Sequence, residues 1–113
     1  MIKVEAIIRP EKFEAVKEAL AEAGFIGLNV VSVTGRGVQK GVTYAGRTGQ
    51  KTAVEMLPKV KLEAVVSDKD ADRVVDIIVS NARTGSIGDG KIFLIPVSDV
   101  VRVRTGERGE RAL

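Results

Sequence analysis

With 113 residues, 44% of them hydrophobic, the chain is expected to form one domain with a core of its own. It contains neither cysteine nor histidine, which excludes disulfides, thiolate metal sites and imidazole chemistry and leaves carboxylates, lysines, hydroxyls and backbone dipoles. Its 18 basic and 15 acidic residues, net +3, are mostly interspersed, and three phenylalanines and one tyrosine offer few stacking platforms, so nucleic acid is not expected as a partner.

The opening stretch MIKVEAIIRP lacks a signal-peptide pattern, and no apolar run approaches the roughly 20 residues of a membrane helix. A soluble, cytoplasmic protein is expected. The run IKVEAII, Ile2 to Ile8, is β-rich and predicts a mostly buried strand. Arg9-Pro10 ends it, and Pro10 suits the first turn of a helix. From Glu11 to Ala23, Phe13, Val16, Leu20 and Ala23 share one helical face, while Glu14, Lys17, Glu18 and Glu22 mostly lie away from it. Gly24 is the expected stop, and Leu28 to Gly35 reads as a second strand. Gly35 to about Met56 then carries five glycines over about twenty residues, long for a connector. Two readings stand there: a floppy hairpin, or an arm that orders on a ligand or partner, offering Gln39 and Lys40 between Gly37 and Gly41.

The pattern then returns. Lys59 to Val66 predicts a strand, and Ser67 to Asp70 resembles a capping box. Ala71, Val74, Val75 and Ile78 give an i, i+3, i+4, i+7 face up to about Ala82. In RTGSIGDGKIF, Arg83 to Phe93, glycines permit unusual backbone angles and exposed amides can nest an anion, with Lys91 adding charge at the edge; the alternative is a tight helix–strand connector. Lys91 to Val97 is the last core strand. Lys3-Val4-Glu5-Ala6-Ile7-Ile8 is echoed by Lys61-Leu62-Glu63-Ala64-Val65-Val66. Strand–helix–strand twice over is the ferredoxin-like double βαβ arrangement, an α+β fold whose antiparallel sheet has both helices on one face. The strands are too apolar to leave the other face in water, which implies self-association. In the tail, Arg102 and Arg104 alternate with Val101 and Val103; at strand spacing both guanidiniums point one way, to hold a polyphosphate or to keep an edge strand solvated.

Taken together, IIRPEK, QKG, LPKVKLE, ARTGSIGDGKIF and RVRTGERGE resemble the nitrogen-regulatory PII signal-transduction family across essentially the whole chain, the segment Thr84 to Phe93 matching the family's C-terminal signature. The resemblance implies a homotrimer with ATP or ADP in clefts between subunits. It implies a T-loop over about 36–56, a B-loop over about 83–91 and a C-terminal loop over about 99–113. Ile7, Glu63 and Val65 would line the adenine and ribose. Gly37, Val38, Gln39, Thr84, Gly88, Asp89, Gly90 and Lys91 would complete the nucleotide site, with Arg102 and Arg104 from the adjacent chain. Gln39 would hold Mg-ATP and 2-oxoglutarate, with Lys40, Gly41 and Lys59 around the keto-acid. The T-loop would dock on a target such as an ammonium transporter, glutamine synthetase or a nitrogen-fixation component, so that a membrane is met only through a transporter.

The chain departs from that pattern at three places. Val38 stands where a basic residue is common, Asn29 where threonine is common, and Thr52 where the modifiable tyrosine falls. Tyr44, the only tyrosine, sits outside the usual motif, so no uridylylation is expected. Three other readings compete with a non-enzymatic sensor of ATP, ADP and 2-oxoglutarate. A sensor of adenine nucleotides alone, or a structural trimer with decayed sites, would follow from Val38 and Asn29. A small nucleotide hydrolase would use Asp89 and Lys91, although no GxxxxGK[ST] run is present.

Overall fold

The computed structural model describes residues 1–37 and 56–113. Its strands are β1 (Ile2–Ile8), β2 (Asn29–Gly35), β3 (Leu57–Val66) and β4 (Gly90–Pro96), and its helices α1 (Phe13–Glu22) and α2 (Asp68–Ala82). The sheet runs β2-β3-β1-β4 with every neighbouring pair antiparallel, which is the expected double βαβ order.

β1 alternates strictly. Val4, Ala6 and Ile8 are buried under the helices, and the residues between them are half-buried on the opposite face. Residues paired directly across a ladder share a face. The registers Ala6↔Leu62, Ala6↔Ile92 and Val30↔Leu62 therefore put even-numbered strand residues on the helix side throughout the sheet. The odd-numbered ones make up the other face. The repeated KxEA hexapeptides are the two strands that pair at its centre, around Glu5↔Glu63. These like charges are bridged by Lys3, whose Nζ lies 3.8 Å from Glu5 and 3.6 Å from Glu63.

On the helix side, Val16 and Leu20 of α1 and Ala71, Val74, Ile78 and Ala82 of α2 close the core with Val4, Ala6, Ile8, Leu62 and Val66. Pro10–Lys12 forms a 3₁₀ turn that leads into α1, so the regular helix starts two residues later than the periodicity implies. Gly24 follows α1 at φ 94°, where its amide caps the Ala21 carbonyl. The capping box at Ser67 does not form. The Ser67 hydroxyl instead donates to the Asp70 carboxylate at 3.0 Å, because aspartate is one methylene shorter than the glutamate that normally reaches back.

The tail departs from the sequence reading. Val101 to Arg104 is not a strand: Val101 bridges to Arg108, and the residues after Arg102 turn. Gly106 and Gly109, at φ 72° and 73°, let the chain reverse, and the Gly106 amide closes on the Arg102 carbonyl at 2.7 Å. Asp99 accepts from the amides of Val100 and Gly109 and pairs with Arg108, which outweighs the apolar–basic alternation. Arg102 and Arg104 therefore do not share a strand face.

Among the described residues, no helix is long and apolar enough to cross a membrane. The open face and both sheet edges leave apolar side chains in solvent, among them Val31, Leu57, Phe93, Leu94 and Ile95.

Candidate functional site

Between the end of α2 and the start of β4, residues 83–89 fold around one carboxylate. Asp89 Oδ2 accepts the backbone amides of Thr84 at 2.8 Å and Gly85 at 2.9 Å. Its Oδ1 accepts the Thr84 hydroxyl and, at 3.0 Å, the Nε–H of Arg9. These donors, the Thr84 hydroxyl foremost and then the Thr84 amide, hold the Asp89 carboxyl well below the usual carboxylate range. The Ser86 amide donates to the Thr84 hydroxyl oxygen at 3.1 Å. The first half of the loop thus spends its amides on itself, and the turn over 86–89 directs the Asp89 amide at the Ser86 carbonyl, whereas those of Ile87 and Gly88 take no partner among the described residues.

Two basic side chains grip the far side of this loop. Arg9 Nη2 donates to the Ile87 carbonyl at 2.8 Å, and Lys59 Nζ donates to the Gly88 carbonyl. Gly90 has a structural requirement of its own. It sits at φ 104°, and a Cβ there would lie 1.7 Å from the Ile7 carbonyl oxygen. Its missing side chain admits the neighbouring strand of the same chain.

Ile7, Lys59, Glu63, Val65 and Lys91 are all odd-numbered strand residues, so they share the open face, with Ile7 opposite both Lys61 and Lys91. Asn29 lies on that face opposite Glu63. The 83–89 loop leads into this face where β4 pairs with the end of β1, at Ile8↔Gly90. The structure thus gathers Ile7, three lysines (Lys59, Lys61 and Lys91) and the unengaged Ile87 and Gly88 amides at one end of the sheet, with Glu63 at its centre and Val65, opposite Lys3, nearer the other end. Thr84 and Asp89 belong to the group, but their polar groups face the loop itself.

A separate cleft of about 310 Å³ lies on the helix side, floored by Ile8, Val75, Ile78, Val79 and Ile92. Asp89, Gly90 and Lys91 reach its rim.

Arg102 and Arg104 stand apart. Arg102 pairs with Glu107 at 3.0 Å and donates to the carbonyls of Arg111 and Leu113, while Arg104 is exposed. Among the described residues, no hydrogen bond or ion pair joins this tail to the 83–89 loop. Gly37 is exposed at the end of β2. Val38, Gln39, Lys40, Gly41, Tyr44 and Thr52 lie outside the described residues. The described residues hold no cluster of three or more acidic side chains arranged for a metal ion, and both Asp89 oxygens are occupied by donors. Arg9 is the residue that sequence reasoning missed. Its odd number, one step past β1, was the available signal that it shares a face with Lys59 and Lys91.

The family pattern described as Nitrogen regulatory protein P-II matches residues 1–107. The chain belongs to this family. P-II relatives match it end to end. The Nitrogen regulatory protein P-II 2 of Methanothermobacter thermautotrophicus is 53% identical over all 113 residues, covering 97% of that protein. The Nitrogen regulatory protein P-II of Synechocystis is 55% identical over the full length of both chains. The crystal structure of Arabidopsis thaliana PII bound to citrate superposes with a TM-score of 0.81 at 45% identity, covering 99% of this chain and 91% of that one. P-II proteins are regulators of nitrogen metabolism rather than enzymes, so the hydrolase reading of Asp89 and Lys91 falls away.

Proposed function

We propose that this P-II chain is a cytoplasmic sensor that assembles as a homotrimer and binds ATP or ADP in the clefts between subunits. The observation that carries the reading is that Ile7, Lys59 and Lys91 stand on the open face at the end where the 83–89 loop enters with its Ile87 and Gly88 amides unengaged among the described residues, while Glu63 and Val65 lie farther along the same face. Each feature suits one part of an adenine nucleotide. Ile7 and Val65 are apolar residues suited to the base, and Glu63 accepts from ribose hydroxyls. The loop amides and Lys91 donate to phosphates, each charge-assisted bond contributing about 1.5–3 kcal/mol. Thr84 and Asp89 hold the loop's shape, and Gly90 lets it join β4 against Ile7.

Two observations favour a site completed by another copy. Arg102 and Arg104 are cations suited to phosphate, yet within one chain they lie in a self-contained tail. The exposed Val31, Leu57, Phe93 and Ile95 form an apolar face that a neighbouring copy would cover.

On this reading Gln39 bridges Mg-ATP and 2-oxoglutarate, and Lys59, Lys40 and Gly41 receive the keto-acid. Lys59 must then exchange the Gly88 carbonyl for a ligand carboxylate. Residues 36–56 carry the signal to a nitrogen-metabolism target such as an ammonium transporter, glutamine synthetase or a nitrogen-fixation component. Thr52 has no phenol to uridylylate.

Calorimetric titration with Mg-ATP, followed by 2-oxoglutarate on the ATP-loaded protein and the keto-acid alone as control, tests the proposal. ATP-dependent keto-acid binding is expected. Nucleotide binding without it would instead establish an adenine-nucleotide sensor, with Val38 replacing a phosphate-side cation. Absence of both would leave a structural trimer. A monomeric mass in solution would remove the intersubunit site.

A further inference from the structure

Arg9 has no role in the ligand binding proposed above, yet it makes the longest-range polar contact to the loop. Its guanidinium spans two points, Asp89 through Nε at 3.0 Å and the Ile87 carbonyl through Nη2 at 2.8 Å. Its side chain is only 24% exposed. The guanidinium also underlies Gly88, where an added Cβ would meet Nη2 at 3.1 Å.

Peptide geometry turns these contacts into a direction. In a planar trans peptide the carbonyl of one residue and the N–H of the next point opposite ways, and the chain has no cis peptide among its described residues. Arg9 draws the Ile87 carbonyl toward itself, so the Gly88 N–H points away from Arg9. Lys59 holds the Gly88 carbonyl, while the turn over 86–89, with Gly88 at φ 104°, keeps the Asp89 N–H facing the Ser86 carbonyl. The Gly88 amide lacks a partner among the described residues, as expected of a donor held ready for something outside.

We propose that Arg9 is a positioning residue that aims the Gly88 amide at the phosphates of a bound nucleotide. The inference rests on the nucleotide site proposed above and adds to it a residue that never touches the ligand. A fork is needed because one side chain must hold the Asp89 carboxylate and the Ile87 carbonyl together, which a lysine ammonium on a flexible stem does less well. With the grip gone, the 87–88 peptide is free to rotate, and glycine at 88 offers little resistance.

The test is competition binding of ATP, AMP and adenosine to the full chain, as wild type, Arg9→Gln and Arg9→Lys, with thermal unfolding in parallel. ATP affinity of R9Q should fall about tenfold, the scale of one charge-assisted bond, while adenosine affinity stays within about twofold. R9K keeps the charge and should recover only part of the ATP loss. Equal losses for ATP and adenosine would mean general damage, and full recovery in R9K would mean charge alone; either overturns the inference. If R9Q fails to fold, R9K decides: weakened ATP with unchanged adenosine supports positioning, and unchanged ATP refutes it. A wild-type chain that binds no ATP would sink the nucleotide reading itself. Wild-type binding with an unaffected R9Q would sink this inference alone.

Discussion

The 83–89 loop and the 99–113 tail solve the same problem with the same parts and reach opposite ends. Each is glycine-rich, and each folds around an aspartate that collects backbone amides and one arginine. Asp89 takes its arginine from position 9, eighty residues away, and so fastens its loop to the sheet. Asp99 takes Arg108, nine residues on, and so closes the tail upon itself. Shape in the first region is a tertiary property, while in the second it is local. A loop tied to the sheet can present amides at a fixed place. The tail fixes Arg102 relative to its own turn only.

The largest test of this contrast sets two glycines side by side. Gly90→Ala should cost about 3 kcal/mol or more in urea unfolding, because its Cβ collides with the Ile7 carbonyl at 1.7 Å. Gly106→Ala meets no atom within 4 Å and should cost only the left-handed backbone penalty, about 1–2 kcal/mol. Equal costs would mean that the loop is no more tied to the sheet than the tail is.

Acid sharpens the comparison further. Both carboxyls are held below their ordinary value, Asp89 chiefly by the Thr84 hydroxyl and Asp99 chiefly by Arg108. Each stabilises the fold fully above about pH 4 and loses that contribution as pH falls through its lower folded value. Asp89→Asn should therefore flatten the acid limb of a Tm-against-pH curve more than Asp99→Asn does, since the stronger shift is at Asp89. The smallest stability effect is expected at Glu107, whose pair with Arg102 is about one-third exposed on both sides. Glu107→Ala should change unfolding free energy by about 0.5 kcal/mol. Arg102→Ala should be as mild for stability and yet weaken ATP about tenfold, which calorimetry on the same samples would read.

Much of the fold was legible because it rests on period and punctuation. Val4, Ala6 and Ile8 alternate cleanly enough to set β1 to its last residue, and Gly24 ends α1 where a glycine should. The tail misled because Val101 to Arg104 has the right alternation, while its conformation is decided by Asp99, Gly106 and Gly109, whose contacts no periodicity records. At the candidate site, residue types were readable and partners were not. Asp89 was expected beside a ligand and spends its oxygens on Thr84, Gly85 and Arg9. Gly90 was read as one of the glycines of an anion-nesting turn, whereas the atom that demands it is a carbonyl of the adjoining strand. Arg9 carried no motif, only its place beyond a strand end.

The parity of the sheet has a consequence for how such a chain can change. Because even positions make the core and odd positions the open face, a strand works as a two-letter reading frame. One residue inserted within β1 would drive Glu5 or Lys3 beneath the helices and lift Val4 or Ala6 into the site at the same stroke. Substitution can tune the open face one residue at a time, but a frameshift there destroys core and site together. Changes of length are thereby confined to the connections between strands and helices, which can diverge while both faces of the sheet stay constant.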